Sequence, residues 1–186
     1  DRVKQDVGLD INLISGLEEA RRIYLGVLSG MELHGQPHGI IDIGGGSTEI
    51  ILGTGERHRF LSSTKVGAVR LNAQMVTTNP LSKEEFQQLQ TYVRGRLEPN
   101  IDDLKAKLAD DESLALVGTS GTIESLAVLT AIEKLGTAPA RINGYTMTMD
   151  ELESCIQKLR RMSFSERLKL PEMSARRAEI IVPGAV

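Results

Sequence analysis

Apolar residues recur along this chain with two periods, and the switches between them mark out its elements. Asp10–Ile14 alternates every second residue and predicts a strand. Ser15-Gly16-Leu17-Glu18 then has capping-box spacing, and Leu17, Ala20, Tyr24, Val27 and Leu28 share one face of a helix over 17–28. A turn region, His34 to His38, leads into Gly39–Ile43, a continuous apolar strand. Gly44-Gly45-Gly46 ends it, Ser47–Gly53 forms a second strand, and Gly53-Thr54-Gly55 turns into a third over Arg57–Lys65. Three strands joined by glycine turns predict an antiparallel meander.

Helical spacing dominates the remainder. Val69–Val76 reads as a short helix that stops before Asn79-Pro80. Ser82-Lys83-Glu84-Glu85 opens a long helical region to about Leu108, interrupted or kinked near Gly95 and Pro99. Leu114–Val117 reads as a buried strand, Gly118–Thr122 as a tight polar turn and Ile123–Leu135 as a helix. Thr146–Met149 suggests a further short strand, Thr148 caps a helix to about Met162, and short helical pieces follow Pro171. A meander followed by alternating strands and helices predicts an α/β domain with a mixed sheet flanked by helices.

Composition narrows the function classes. The 186 residues are 40% hydrophobic but only 3% aromatic, with no Trp, so the core must be aliphatic. A net charge of −3 argues against a general nucleic-acid binder. Within it, Lys158, Arg160, Arg161, Arg167, Lys169, Arg176 and Arg177 face only Glu166 and Glu172. That stretch is either a solvated helix face or a surface for a polyanion. The single cysteine, Cys155, flanks a core stripe and reads as structural; one cysteine makes no internal disulfide, which fits a reducing, cytoplasmic setting. No apolar run approaches the ~18 residues of a membrane span, and no signal peptide is visible. A chain that starts at Asp1 rather than Met reads as a piece of a longer protein.

Three segments carry candidate chemistry. In Ile41-Asp42-Ile43-Gly44-Gly45-Gly46-Ser47-Thr48-Glu49, three glycines strip a turn of side chains, so backbone N–H groups can approach an anion. Ser47 and Thr48 add hydroxyls. Asp42 and Glu49 offer carboxylates to a divalent cation, with Mg²⁺ the natural choice and Mn²⁺ the alternative. The plainer reading is a hairpin whose glycines serve only the turn, but two residues would suffice for that. The second segment, Gly118-Thr119-Ser120-Gly121-Thr122, precedes a helix whose N-terminal N–H groups suit phosphate. The third is Glu18-Glu19: capping explains Glu18, and Glu19 is left as a candidate general base or an ordinary first-turn glutamate. His34, His38 and His58 have no metal-ligand spacing; the first two read as loop residues and His58 as a solvent-facing strand residue.

In the same order, Ile14-Ser15-Gly16, Glu18-Glu19-Ala20-Arg21, Ile41–Glu49, Gly118–Ile123 and Ile180–Ala185 resemble motifs of the exopolyphosphatase and guanosine pentaphosphate phosphatase family. The resemblance covers nearly the whole chain. It implies a ribonuclease-H-like domain of the actin, sugar-kinase and heat-shock-chaperone superfamily, with the active site in a cleft between two such domains. It implies Glu19 as catalytic base, Asp42 and Glu49 at Mg²⁺, and Gly44, Gly45, Gly46, Ser47 and Thr48 on phosphate, with Gly118, Thr119, Ser120, Gly121 and Thr122 as the second phosphate loop. The family's earlier Asp-x-Gly-Ser-Asn-Ser-type loop is not found here. The expectation is therefore a second domain without its first, inactive or weak in isolation, from an enzyme acting on inorganic polyphosphate, with a homodimer as its assembled form. Guanosine pentaphosphate is the alternative substrate, and an ATP-binding module of the actin and chaperone type the alternative class. Neither a nucleic-acid nor a membrane partner is expected.

Overall fold

A computed structural model describes residues 2–55 and 57–186. Its centre is a four-stranded sheet of β1 (His38–Ile43), β2 (Thr48–Gly53), β3 (His58–Thr64) and β4 (Ala115–Thr119), in the order β3-β2-β1-β4. The first three strands form the expected antiparallel meander, and β4 pairs parallel to β1. The mixed α/β sheet is thus as read from the sequence. β2 has a neighbour on either side and is buried along its whole length.

Helices cover both faces. Preceding the sheet are α1 (Arg2–Val7), which buries nothing, and α2 (Gly16–Gly30). Ala20, Tyr24 and Val27 of α2 pack on Ile40 and Ile51, which are cross-strand partners. The opposite face carries Ile50 and Leu52, covered by Leu104 near the end of α4 (Lys83–Lys105). The larger cluster joins α4 to α3 (Ala68–Met75), α5 (Ser120–Leu135), α6 (Met149–Arg161), α7 (Phe164–Arg167) and α8 (Ala175–Gly184) through Leu71, Phe86, Leu89, Leu126, Leu159 and Ile181. Apart from Phe86, these contacts are aliphatic, as the composition requires. No helix among the described residues is long and apolar enough to cross a membrane.

Several expectations change. Asp10–Ile14 forms no strand: Leu9, Ile11 and Leu13 are exposed, Leu13 at 96%. Alternation assigns two faces to a segment, but a strand also needs a ladder partner, and this one lies outside the sheet. β4 exists but is not buried. It is an edge strand with Leu116 74% exposed, and its apolar run imitates a strand covered on both faces. It also runs on to Thr119, which compresses the predicted turn so far that α5 begins at Ser120 with φ +77°. Thr146–Met149 is not a strand; Thr148 caps α6 with both halves of its capping box. His38 opens β1 rather than standing in a loop.

The long helix α4 is continuous through Gly95 and Pro99. These residues are four apart, so the N–H that proline lacks and the Gly95 carbonyl are two halves of one i→i−4 bond. One bond is forgone, at an exposed position where water can reach the carbonyl. At the starts of α2 and α4 only half of each capping box forms. Ser15 and Ser82 accept from the N–H of Glu18 and Glu85, while Glu18 turns to Arg21 and Arg22, and Glu85 to the N–H groups of Thr77 and Thr78.

Gly67 is the tightest point between α3 and the β1–β2 turn. A Cβ there would lie 2.6 Å from Gly45 C and from Ser47 N, both backbone atoms that cannot rotate away. Gly67→Ala should therefore cost about 1–3 kcal/mol through overpacking, read as a lowered melting temperature; an unchanged melting temperature would show that the turn shifts freely.

Candidate functional site

The register of the sheet assembles the site. Thr119 on β4, Asp42 on β1, Glu49 on β2 and Ser63 on β3 are direct cross-strand partners, forming one row across all four strands. Two residues along on the same strands lie Val117, Ile40, Ile51 and Leu61, the row that packs under α2. Because side chains alternate faces, the polar row points to the α2 side as well.

Within the row the hydroxyls serve the carboxylates. Thr119 Oγ1 donates to Asp42 Oδ2 at 2.5 Å, and Ser63 Oγ to Glu49 Oε1 at 2.7 Å. Glu49 is only 1% exposed. Burial pushes its carboxyl above the ordinary value of 4.5. The Ser63 and Ser47 hydroxyls pull it back, and the nearby charges of Glu19 and Asp42 push it up again. Three carboxylates therefore share one region. They do not converge as a metal cage: no group of three or more His, Cys, Asp or Glu side chains among the described residues does so. The donor set is a pair, Asp42 and Glu49, with an electrostatic excess that a cation would relieve. That fits Mg²⁺, which takes one or two carboxylates and keeps several waters.

Helix α2 brings Glu19 to the same end of the sheet. A Cβ at Gly16 would lie 2.4 Å from Ser63 Oγ, so the glycine lets the start of α2 rest directly on the row. Glu18 and Glu19 then separate in character. Glu18 is held by Arg21 and Arg22, and bonds from the former first and the latter second lower it to about 2. Glu19 is exposed in the first turn.

The glycine loop closes the β1–β2 hairpin, with Gly44 N–H donating to Ser47 O at 3.0 Å. Its three carbonyls all face α3: Gly44 O accepts from Ala68 N–H, Gly45 O from the N–H groups of Val69 and Arg70, and Gly46 O from Arg70 Nε. In a trans peptide the C=O and the following N–H point in opposite directions. The N–H groups of Gly45, Gly46 and Ser47 therefore face away from α3, as an anion nest requires. None of the three glycines has a left-handed φ, and a Cβ on Gly46 would meet nothing within 4 Å. Neither backbone strain nor crowding explains glycine at position 46.

In the second loop and its neighbours the hydroxyls are used internally. Thr48 bonds Val66 O, Thr119 bonds Asp42, Ser120 bonds Ile43 O at 2.7 Å, and Thr122, 1% exposed, accepts from Arg177 Nη1 at 3.1 Å. What the start of α5 has left to offer is backbone N–H. Arg177 comes from α8 and lies against Gly121, with no ion pair within 4 Å among the described residues. Burial lowers its pKa.

The basic stretch 158–177 is divided among several roles. Lys158 pairs with Glu133, Arg160 lies over the Phe86 ring, and Arg167 is buried on the carbonyls of Ala178 and Met162. Arg161, Lys169 and Arg176 are exposed. Cys155 is buried, and that burial raises its thiol to about 11. His58 is exposed, edge-on to the Tyr24 ring. Ile180–Ala185 contributes core residues of α8 rather than site groups. Two surface hollows, 630 and 430 Å³, lie along α4, and no residue of the polar row lines them.

Sequence reasoning singled out Asp42, Glu49, Glu19 and both loops, and the structure brings the three carboxylates to one end of the sheet. Sequence reasoning missed Ser63, Gly67, Arg70 and Arg177, each tied to the site only through another element. The hairpin turn Gly53–Gly55 was the signal that could have aligned Ser63 with Glu49, but the ladder shifts register at Leu52/Gly53 and obscures it.

Comparisons with known proteins give the chain a family and its fold a set of relatives. The model of the Ppx/GppA phosphatase family matches residues 1–186. Exopolyphosphatase 2 of Mycobacterium tuberculosis is 33% identical over 182 residues, covering 96% of this chain and 54% of that protein. Exopolyphosphatase 1 of Mycobacterium bovis is 32% identical over 192 residues, covering 52% of its own length. Among solved structures, an exopolyphosphatase from Cytophaga hutchinsonii superposes with a TM-score of 0.86 at 24% identity, over 99% of this chain and 58% of that one. The Aquifex aeolicus Ppx/GppA member gives 0.79 at 27%, over 99% and 57%. The chain thus spans about half the length of the curated relatives it matches.

Because Glu49 holds its proton to higher pH in the native state than in the unfolded chain, its contribution to stability is full below 4.5 and lost as pH rises through the raised native value. Glu49→Gln should melt with the wild type in acid and above it at neutral pH. A variant less stable than wild type at neutral pH would mean that the native carboxylate is stabilised rather than penalised.

Proposed function

We propose, starting from the fact that this chain belongs to the Ppx/GppA phosphatase family, that the protein carrying it is an exopolyphosphatase that releases orthophosphate from the end of inorganic polyphosphate. The observation that carries this reading is the meeting of an exposed Glu19 with a half-buried Asp42 and a buried Glu49 beside a loop whose carbonyls all face α3. In this reading Asp42 and Glu49 hold Mg²⁺, or Mn²⁺ in its place, and that ion supplies positive charge to phosphoryl oxygens when bound. The N–H groups of Gly45, Gly46 and Ser47 and those at the start of α5 donate to the terminal phosphoryl, and Arg177 adds a guanidinium beside Gly121. Glu19 orients a water in line with the terminal P–O bond and takes its proton. The new bond is water oxygen to phosphorus, the bond broken is the bridging P–O, and the shortened polyphosphate leaves with the electron pair. Guanosine pentaphosphate offers the same terminal bond with a different leaving group. The exposed rim of this site suits a second wall, supplied by a first domain in the full-length enzyme.

In the full-length enzyme, Glu19→Gln should reduce orthophosphate release from long-chain polyphosphate by roughly 10²–10⁴-fold with an unchanged melting temperature; near-full activity removes Glu19 as the base. ATP is the comparison substrate, and turnover of ATP without turnover of polyphosphate moves the chain to the ATP-module class. Mg²⁺ should raise the melting temperature of the wild type but not of Glu49→Gln, and an equal rise in both removes Glu49 from the ion.

A further inference from the structure

We infer that Arg70 is a positioning residue for the glycine loop, holding the Gly46–Ser47 peptide so that the Ser47 N–H is presented to the phosphoryl group. The inference rests on the reading of Gly44–Ser47 as a phosphate loop. Two of the loop's three peptide carbonyls are fixed by backbone: Gly44 O by Ala68 N–H at 2.9 Å, and Gly45 O by Val69 and Arg70 N–H at 3.0 and 3.1 Å. The third, Gly46 O, is fixed by a side chain, Arg70 Nε at 3.0 Å. It belongs to the peptide whose N–H is that of Ser47, the last donor of the nest. Arg70 makes no ion pair within 4 Å among the described residues, so its charge is spent on no carboxylate. A cationic donor on a carbonyl also polarises the peptide and strengthens the N–H on its other side as a donor.

The site lacks other means of doing this. The first N–H groups of α3, ordinarily an anion site, are consumed by the Gly44 and Gly45 carbonyls. Gly46 has no side chain, and the space on its Cβ side is open, so no packing there holds it. Among the described residues, the Gly46–Ser47 peptide is therefore the one peptide of the loop whose carbonyl is held by a side chain rather than by the backbone of α3, and Arg70 is what holds it.

The test uses the full-length enzyme, with orthophosphate as competing product, and compares Arg70→Met, Arg70→Gln and Arg70→Lys with Gly46→Ala. Gly46→Ala adds a methyl group at the nest where the fold has room for it, and so reads the phosphate-loop assignment alone. Arg70→Met should raise the orthophosphate inhibition constant about tenfold or more, the range of a charged hydrogen bond. kcat should fall with it and the melting temperature should stay near wild type. Arg70→Gln should lie between, Arg70→Lys should recover part of the loss, and Gly46→Ala should weaken orthophosphate. If Arg70→Met does not fold, Arg70→Gln carries the comparison. Weakened orthophosphate in Gly46→Ala with wild-type constants in the Arg70 variants overturns the role of Arg70 and leaves the loop standing. Wild-type constants in all four overturn the loop reading and this inference together. A lowered melting temperature with an unchanged inhibition constant makes Arg70 structural only.

Discussion

The antiparallel register of β1 and β2 is the constraint on which this structure depends. It sets Asp42 opposite Glu49 across neighbouring strands, where like charges are unfavourable, and places Glu49 in a strand buried along its whole length. The surroundings answer that cost. Ser63 and Thr119 extend the row on either side and donate to the two carboxylates. Slipping β2 by one residue against β1 would turn Glu49 to the opposite face, away from Asp42, and bring Ile50 and Leu52 under α2 instead. The apolar row beneath α2 and the polar row at its start are thus fixed by the same ladder.

Much of this was legible in the chain itself. The meander could be read because its turns are glycines and its strands alternate or run apolar. The two loops could be read because each follows an apolar run with an excess of small residues. The family likeness added the expectation of a catalytic Glu19, where charge and spacing alone favoured an ordinary helix-start glutamate. What was not legible lies between elements. Leu116 gives the same signal on an exposed edge as it would in a buried strand. Leu9, Ile11 and Leu13 alternate without a partner. Arg70 drew no reading, and Arg177 was one cation in a basic stretch, until α3 and α8 were placed beside the two loops. Gly95 and Pro99 look like two breaks, and their four-residue spacing makes them one missing bond.

The two loops differ in how they present themselves. At the β1–β2 turn the carbonyls are drawn toward α3 and the N–H groups are released on the other side. At the β4–α5 junction the hydroxyls knit Thr119, Ser120 and Thr122 to Asp42, Ile43 and Arg177, which fixes the loop and leaves helix-start N–H groups free. The first loop is held by backbone N–H groups of α3 and one side chain, the second by side-chain hydroxyls, and in both it is backbone N–H that remains for a ligand. On the proposed reading, such a site would discriminate by shape and charge more than by the identity of a leaving group.

The tether between the glycine loop and α3 has a consequence in time. The hairpin is synthesised before α3, and the groups that orient its peptides lie 24 residues further along the chain. The helix carrying them is itself held by Ala178, Ile181 and Val182 of α8. A nascent chain that has made its sheet but not residues 175–184 therefore carries all the loop's residues without their arrangement. On the proposed reading, the arrangement that holds an anion would be complete only once residues 175–184 are in place. Capture of phosphate by stalled chains of increasing length would mark that moment.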